Sequence, residues 1–298
     1  MMKNYDFVGN LKRALIISAA IMLVGVACLA IFGVELDISF KGGTRIQYEC
    51  TKDVDADAFK KTVEEVLQNK IDLEENEGKL VVSLAKNIDS DVIKTLNERV
   101  EKDYAVNVLN SNTLSASMGT KFLLRCVLAL GLAAVLLIVY VGFRFRKIGG
   151  VTAGVSALIA LVHDLLIVFF TFVIFRIELD NNFVAVMLTI LGYSLNDTIV
   201  IFDRVRTLRR RSDAPLADVV NDSLHHVLRR TIITTVTTCV AILAVLVVAI
   251  VMGVDSIISF ALPMLLGAIS GSYSSLFLSG PIWVKWMEHK EKKAAAKA

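Results

Sequence analysis

Residues 183–202 read FVAVMLTILGYSLNDTIVIF, an apolar run holding one carboxylate, Asp197, between Asn196 and Thr198. Helical residues rise 1.5 Å each, so a run of this length covers about 30 Å, the hydrocarbon thickness of a bilayer. The stretch reads as a membrane-spanning helix, and that reading decides the fold. A carboxylate inside it costs several kcal/mol or takes up a proton. Such a group marks an ion or proton path by default.

The rest of the chain agrees. Of 298 residues, 55% are hydrophobic, too many for an ordinary soluble domain, and the mean hydropathy is +0.63. Only three prolines interrupt it, which favours long helices. Apolar runs approaching or exceeding the spanning length occur at 14–34, 122–141, 149–175, 183–202, 231–251 and 257–283. The first follows Lys12 and Arg13, but its apolar core is too long for a signal peptide and no small-x-small site follows. Gly25-Val26-Ala27-Cys28 lacks the branched residue that opens a lipobox. The first run is therefore read as a retained span. Cys28, Cys126 and Cys239 lie in apolar runs and Cys50 lies alone in a polar segment, so no disulfide framework is expected.

Lys and Arg set the orientation. Lys3, Lys12 and Arg13 precede span one, and Arg144, Arg146 and Lys147 follow span two. Arg204, Arg206, Arg209, Arg210, Arg211, Arg229 and Arg230 separate spans four and five, and Lys285, Lys290, Lys292, Lys293 and Lys297 fill the tail. Of the opposite short loops, the only basic residue is Arg176. Both termini are therefore expected in the cytoplasm, with Trp283 and Trp286 at the inner interface. The domain organisation follows. Residues 1–34 form the cytoplasmic N-terminus and first transmembrane helix, and 35–118 an extracytoplasmic domain. Residues 119–285 hold transmembrane helices two to six, and 286–298 a cytoplasmic tail.

The outer segment has its own pattern. Thr44–Cys50 alternates like a strand, and Phe59, Val63, Val66 and Leu67 give Ala56–Gln68 a helical face. Ile71–Glu74 and Lys79–Leu84 read as strands joined by a turn at Asn76-Glu77-Gly78. Asp89–Asp103 is a second helix, with Ser90 as its expected cap, and Val106–Leu114 a last strand. The order β-α-β-β-α-β is the ferredoxin-like pattern. Fold class is thus membrane α-helical, six transmembrane helices with one extracytoplasmic α+β ferredoxin-like domain.

Polar residues inside the spans are the candidate site. Span three carries His163 and Asp164, and span four Asn196, Asp197 and Thr198. Span five opens with Arg230 and Thr231, then Thr234, Thr235, Thr237 and Thr238. Counting from the inner boundary, Asp197 lies roughly 10 Å deep and His163 roughly 18 Å. Arg230 starts near the boundary and can reach inward. Asp197, Arg230, His163, Asp164, Asn196 and Thr198 are the expected proton or ion pathway. Adjacent helical positions point about 100° apart, so His163 and Asp164 are not expected to share one partner. Both proton relay and packing are open to His163. Gly267, Gly271, Ser275 and Ser279 lay a small residue on span six every four positions, a face for close helix packing, either internal or with another subunit.

Other chemistries lack their residues. There is no P-loop, no GxSG and no HExxH, and His225-His226 are neighbours on different helical faces. Neither an enzyme, a metal site nor a cofactor is expected, and nothing points to nucleic acid. Work, if done, would draw on an ion gradient. One alternative is an exporter of small molecules or lipids of the resistance-nodulation-division type, although those usually carry two such halves per chain.

Residues 192–204, GYSLNDTIVIFDR, resemble the signature of the SecF branch of the SecD/SecF protein-export family. Phe40-Lys41-Gly42-Gly43, Val162-His163-Asp164, Arg230-Thr231 with Thr234 and Thr235, and Ser272-Tyr273-Ser274-Ser275 fit the same family in the same order. Thr207-Leu208 stand where the family usually has Glu-Asn, and Arg229 where a small polar residue is common. The resemblance implies a relative of the resistance-nodulation-division superfamily, in the bacterial cytoplasmic membrane. It implies pairing with SecD beside the SecYEG channel, with proton or sodium flow helping to move an exported unfolded polypeptide. It also implies that Asp197 matches the family's proton-carrying aspartate and Arg230 its nearby arginine.

Overall fold

The computed structural model describes residues 5–37, 40, 42–50, 54–76, 78–84, 86, 88–114, 116–146 and 149–295. Of the residues singled out above, Lys3, Lys41, Glu77, Lys147 and Lys297 lie outside these. In chain order the elements are α1 (Leu11–Phe32), β1 (Gly43–Cys50), α2 (Ala56–Leu67), β2 (Asp72–Asn76) and β3 (Lys79–Leu84). Next come α3 (Ser90–Asp103), β4 (Val106–Leu114), α4 (Ala116–Arg144), α5 (Gly150–Ile174) and α6 (Asn181–Arg209). The chain ends with α7 (Leu216–Val251), α8 (Asp255–Ser274), a π turn at Ser275–Ser279 and α9 (Gly280–Ala295). They form two compact units, one of Met1–Glu35, Leu128–Ile177 and Asn182–Ala298, the other of Leu36–Val127 with Glu178–Asn181.

The first unit is helical, and among the described residues 6 helical segments are long and apolar enough to cross a membrane. Their number and order match the apolar runs. Their ends do not. α6 continues to Arg209 and α7 begins at Leu216, so Arg204, Arg206, Arg229 and Arg230 are helical rather than in a loop. Hydropathy marks where the bilayer ends, whereas a helix ends where its backbone ladder is broken. Here the break covers residues 210–215, and Pro215 is the N-cap of α7. The sixth run is likewise not one regular helix. Pro281 has no N–H for the Phe277 carbonyl, and the preceding turn, Ser275–Ser279, widens to a π turn.

Helices in hydrocarbon gain little from the hydrophobic effect and associate by close packing instead. α5, α6 and α8 supply much of the buried surface, whereas α1, α4 and α7 turn Ile16, Leu23, Leu132, Val139, Val240 and Val247 outward. The close packing rests on small residues. A Cβ on Gly267 would meet Ile190 and Val168 at 2.8 Å, and one on Gly271 would meet the Ser194 Cβ at 3.0 Å. Ser275 bonds Thr198 at 2.9 Å, so the Gly267–Gly271–Ser275 row lies along Ile190, Ser194 and Thr198 of α6 with the same four-residue step. The packing partner of this stripe is internal. Ser279 is buried at the end of the π turn.

At the Arg204 end of α6, Phe145, Phe202 and Trp283 form an aromatic stack, with the Phe202 and Trp283 rings 5.5 Å apart, edge to face. Trp283 is buried and its indole N–H donates to Thr152 Oγ1 at 3.1 Å. It is a core residue, not the expected interfacial anchor. Residues 5–10 fold back onto the start of α7. Asn221 Oδ1 accepts the N–H groups of Phe7 and Val8 at 3.0 and 3.1 Å, and its amide donates to Asp6 at 2.8 Å. Phe7 is buried against His225 and Phe277.

The second unit is a four-stranded antiparallel sheet in the order β2-β3-β1-β4. With its two helices this is the ferredoxin-like topology. Ile46, Tyr48, Phe59, Val63, Leu80, Val82, Leu96 and Val100 make its core. Phe59 sits edge-on to both Tyr48 and Tyr104, and the Tyr48 hydroxyl donates to Asn97 Oδ1 at 2.8 Å. Asp55 caps α2 by accepting from the N–H groups of Asp57 and Ala58. Ser90 is the first residue of α3 and its N-cap is Asp89, which differs by one position from the expected cap. Gly42 and Gly43 have φ of 75° and 142°, a backbone that side chains resist, and Phe40 beside them is buried. Residues 178–181 belong to this unit through a parallel bridge between Leu36 and Leu179 and through Arg45, which pairs with Asp37 at 2.6 Å and Glu178 at 3.5 Å.

Two outcomes are expected. Gly271→Leu lowers the Tm of the purified chain, because Ser194 cannot retreat, while Gly131→Leu, with open space around it, leaves Tm unchanged. The N–H of Gly9, and then the Asn221 amide, hold the Asp6 carboxyl below its ordinary range. Its contribution is therefore complete above about pH 3.9 and is lost as pH falls through the lowered value. Hydrogen-exchange protection at Phe7, Val8 and Gly9 falls over that window in wild type and is already low in Asp6→Ala.

Candidate functional site

The polar side chains inside the helical unit gather where α5, α6 and α8 meet. Asp164 on α5 is 0% exposed. Its Oδ2 accepts the hydroxyls of Ser194 on α6 and Ser274 on α8, both at 2.6 Å. Its Oδ1 accepts Ser270 of α8 at 2.6 Å and lies 3.1 Å from His163 Nδ1. These two neighbours on α5 thus meet each other at their side-chain tips. With Nδ1 committed to the carboxylate, His163 Nε2 is buried and has no hydrogen-bond partner among the described residues. The His163 ring lies 6.0 Å from the Tyr273 ring. Tyr273 in turn donates to the Ala14 carbonyl at 2.8 Å, joining α1 to α8.

Asp197 lies one turn after Ser194 on the same face of α6 and is 8% exposed. Its Oδ2 is buried without a hydrogen-bond partner among the described residues. The hydroxyls before and after it are spent elsewhere. Ser194 serves Asp164, and Thr198 pairs with Ser275, whose hydroxyl also lies 3.2 Å from the Ser194 carbonyl. The charge that acts on Asp197 is Arg230 of α7, through space rather than through an ion pair at contact distance. On α7 Thr235 pairs with Ser272, and Thr231 is buried.

Not every expected residue joins this cluster. Asp197, Asp164, His163 and Thr198 are buried within the unit. Asn196 and Arg230 are exposed on it, and neither side chain has a hydrogen-bond partner among the described residues. The threonines behave mostly as packing residues: Thr234, Thr235 and Thr237 donate to carbonyls a turn back. Sequence reading missed that Ser194, Ser270 and Ser274 are donors to one carboxylate. The available signal was their spacing, since Ser270 and Ser274 are a turn apart and Ser194 is a turn before Asp197. Further along α6, Asp203 accepts from Arg144 at 3.0 Å and from Arg206 at 2.7 Å, which ties α4 to α6. Among the described residues no group of His, Cys, Asp and Glu is arranged to hold a metal ion.

Long apolar helices around a buried polar cluster, with a separate ferredoxin-like unit, define a multi-pass membrane protein of the transport type. Residues 92–289 match the family model described as protein export membrane protein SecD/SecF, C-terminal. The protein translocase subunit SecF of Alicyclobacillus acidocaldarius is 32% identical, over 99% of this chain and 96% of the relative. The protein translocase subunit SecDF of Bacillus subtilis is 29% identical over 99% of this chain and 40% of its own length. The crystal structure of SecDF from Thermus thermophilus, a translocon-associated membrane protein, superposes with a TM-score of 0.81 at 26% identity, covering 95% of this chain and 39% of that one. A SecDF structure in a super-membrane-facing form gives 0.65 at 26% identity. The chain belongs to the SecD/SecF family of protein-export membrane proteins, and its curated relatives include both separate SecF subunits and longer SecDF chains.

Proposed function

We propose that this chain is an auxiliary subunit of Sec protein export that pairs with SecD and uses a proton or sodium gradient to move the exported polypeptide. The observation that carries the reading is Asp197, a buried carboxylate with one oxygen that has no hydrogen-bond partner among the described residues. Buried groups held this way at helix junctions in membranes are poised to bind and release a cation as access changes. A gradient can supply the work, since a membrane potential gives about 2.3 kcal/mol per charge per 100 mV. That exceeds the roughly 1.4 kcal/mol that shifts a two-state equilibrium tenfold.

Pairing has its own support. The Asn196 side chain faces outward from the helical unit with no hydrogen-bond partner among the described residues, on a stretch of α6 expected to lie in hydrocarbon, and Arg230 is exposed near its boundary. Lipid tails cannot satisfy Asn196, and a second helical bundle with polar groups can. The SecDF relatives are longer chains with room for such a second part, since this chain spans 40% of the Bacillus subtilis protein. In this reading the assembly sits beside SecYEG in the bacterial cytoplasmic membrane, with both termini inside and residues 35–118 outside. The outer domain meets the emerging unfolded chain. In this reading Asp197 carries the ion, Arg230 answers its charge, and Thr198 is its buried neighbour, while His163 sits against Asp164.

The test is ion-dependent secretion into vesicles holding this chain with its SecD-type partner. Asp197→Asn is expected to assemble normally and to lose the gradient-dependent stimulation. Full stimulation in that variant would sink the proposal.

A further inference from the structure

Asp164 stands apart from Asp197 in a way that the shared chemistry of two aspartates conceals. Both are carboxylates in buried faces of adjacent helices, 0% and 8% exposed. Asp164 has a donor at each of its acceptor positions: Ser194 and Ser274 on one oxygen, Ser270 and His163 on the other. Asp197 has an oxygen with none. An ionised carboxylate is an acceptor-only group with about four lone-pair sites, and three hydroxyls plus one imidazole N–H fill that number. A proton placed on Asp164 would occupy one of these sites, and it would either turn a 2.6 Å hydroxyl away inside a dry junction or require His163 to give up its Nδ1 proton and accept instead.

We propose that Asp164 is a fixed, acceptor-only anchor that pins α6 and α8 to α5 and so positions Asp197, and that it does not itself carry the transported ion. The positioning runs through Ser194. That residue is held at its hydroxyl by Asp164 and near its carbonyl by Ser275, and Asp197 follows it by one helical turn. The anchor therefore sets the rotation of α6 at the level of Asp197. It also takes up the hydroxyl that stands one turn before Asp197 and leaves the Asp197 oxygen unsatisfied. His163 serves as the fourth donor, which fixes the proton on Nδ1 and gives it a holding role rather than a relay. Other groups facing the junction are Tyr273 against His163 and the Thr198–Ser275 pair, and none of these is charged.

The experiment uses the purified full chain in lipid and two readouts, thermal unfolding and the infrared signal of a carboxyl group that changes protonation as pH is stepped. Ser274→Ala removes one donor and keeps Asp164. Hydrogen bonds to charged groups contribute enough that its Tm is expected to fall by about 3 °C or more. Asp164→Asn should fall further, because an amide oxygen cannot receive all three hydroxyls. The titrating carboxyl signal should vanish in Asp197→Asn. It should persist in Ser274→Ala with its pH midpoint moved, and persist in Asp164→Asn where that variant folds. The inference is overturned if Ser274→Ala leaves both Tm and midpoint unchanged, or if the titrating signal disappears in a folded Asp164→Asn. A wild-type chain with no titrating signal counts against ion carriage by Asp197, and the Tm of Ser274→Ala then decides the anchor alone.

Discussion

Hydrocarbon offers a polar side chain no partner, so each one buried in the helical unit must be satisfied by the protein itself or bear the cost. The junction of α5, α6 and α8 is organised by that constraint. Asp164 gathers three serine hydroxyls and an imidazole, and because those donors come from three helices, satisfying the carboxylate also fixes how the helices meet. Thr198 with Ser275 and Thr235 with Ser272 close further hydroxyls in pairs. Tyr193 and Ser279 keep buried hydroxyls without partners among the described residues, and of the buried groups left this way Asp197 alone is a carboxylate, the costliest kind to leave unsatisfied.

Close approach makes the network possible. Hydrogen bonds of 2.6 Å between side chains as short as Ser and Asp require backbones that nearly touch. Gly271 supplies that room directly opposite Ser194, and Gly267 does so opposite Ile190. The small-residue row and the polar cluster are thus one device, since the glycines let the serines reach. The Arg144–Asp203–Arg206 group and the Phe145–Phe202–Trp283 stack then fasten the Arg204 end of α6.

Much of this was legible beforehand because it depends on local pattern. Spans came from runs of apolar residues, and the ferredoxin-like order came from the change between a period of two and a period near 3.6 in residues 44–114. The Gly42-Gly43 pair was visible as a motif, and its reason, positive φ at both positions, is a backbone property. Errors arose where the outcome depends on neighbours. Trp283 has an amphipathic ring, which suggested the interface, but a Thr152 hydroxyl satisfied its N–H and it became core. The arginines after Phe202 suggested a loop, yet the helix continues past them to Arg209, and Pro215 opens the next helix rather than ending this one. Helix geometry places Cβ atoms and not side-chain tips, so it gave no sign that His163 and Asp164 would contact each other.

By itself the sequence determined the membrane class, the six spans and the ferredoxin-like domain, and it singled out Asp197, because each is a statement about composition or spacing along one chain. Tertiary structure alone decided which carboxylate is satisfied and which is not. Asp164 and Asp197 are equivalent in a hydropathy profile. They differ because hydroxyls 30, 106 and 110 residues from Asp164 in sequence converge on it in space, and none does so on the buried oxygen of Asp197. Hydrogen bonding is directional and short-ranged, so its pattern exists only once the helices have packed.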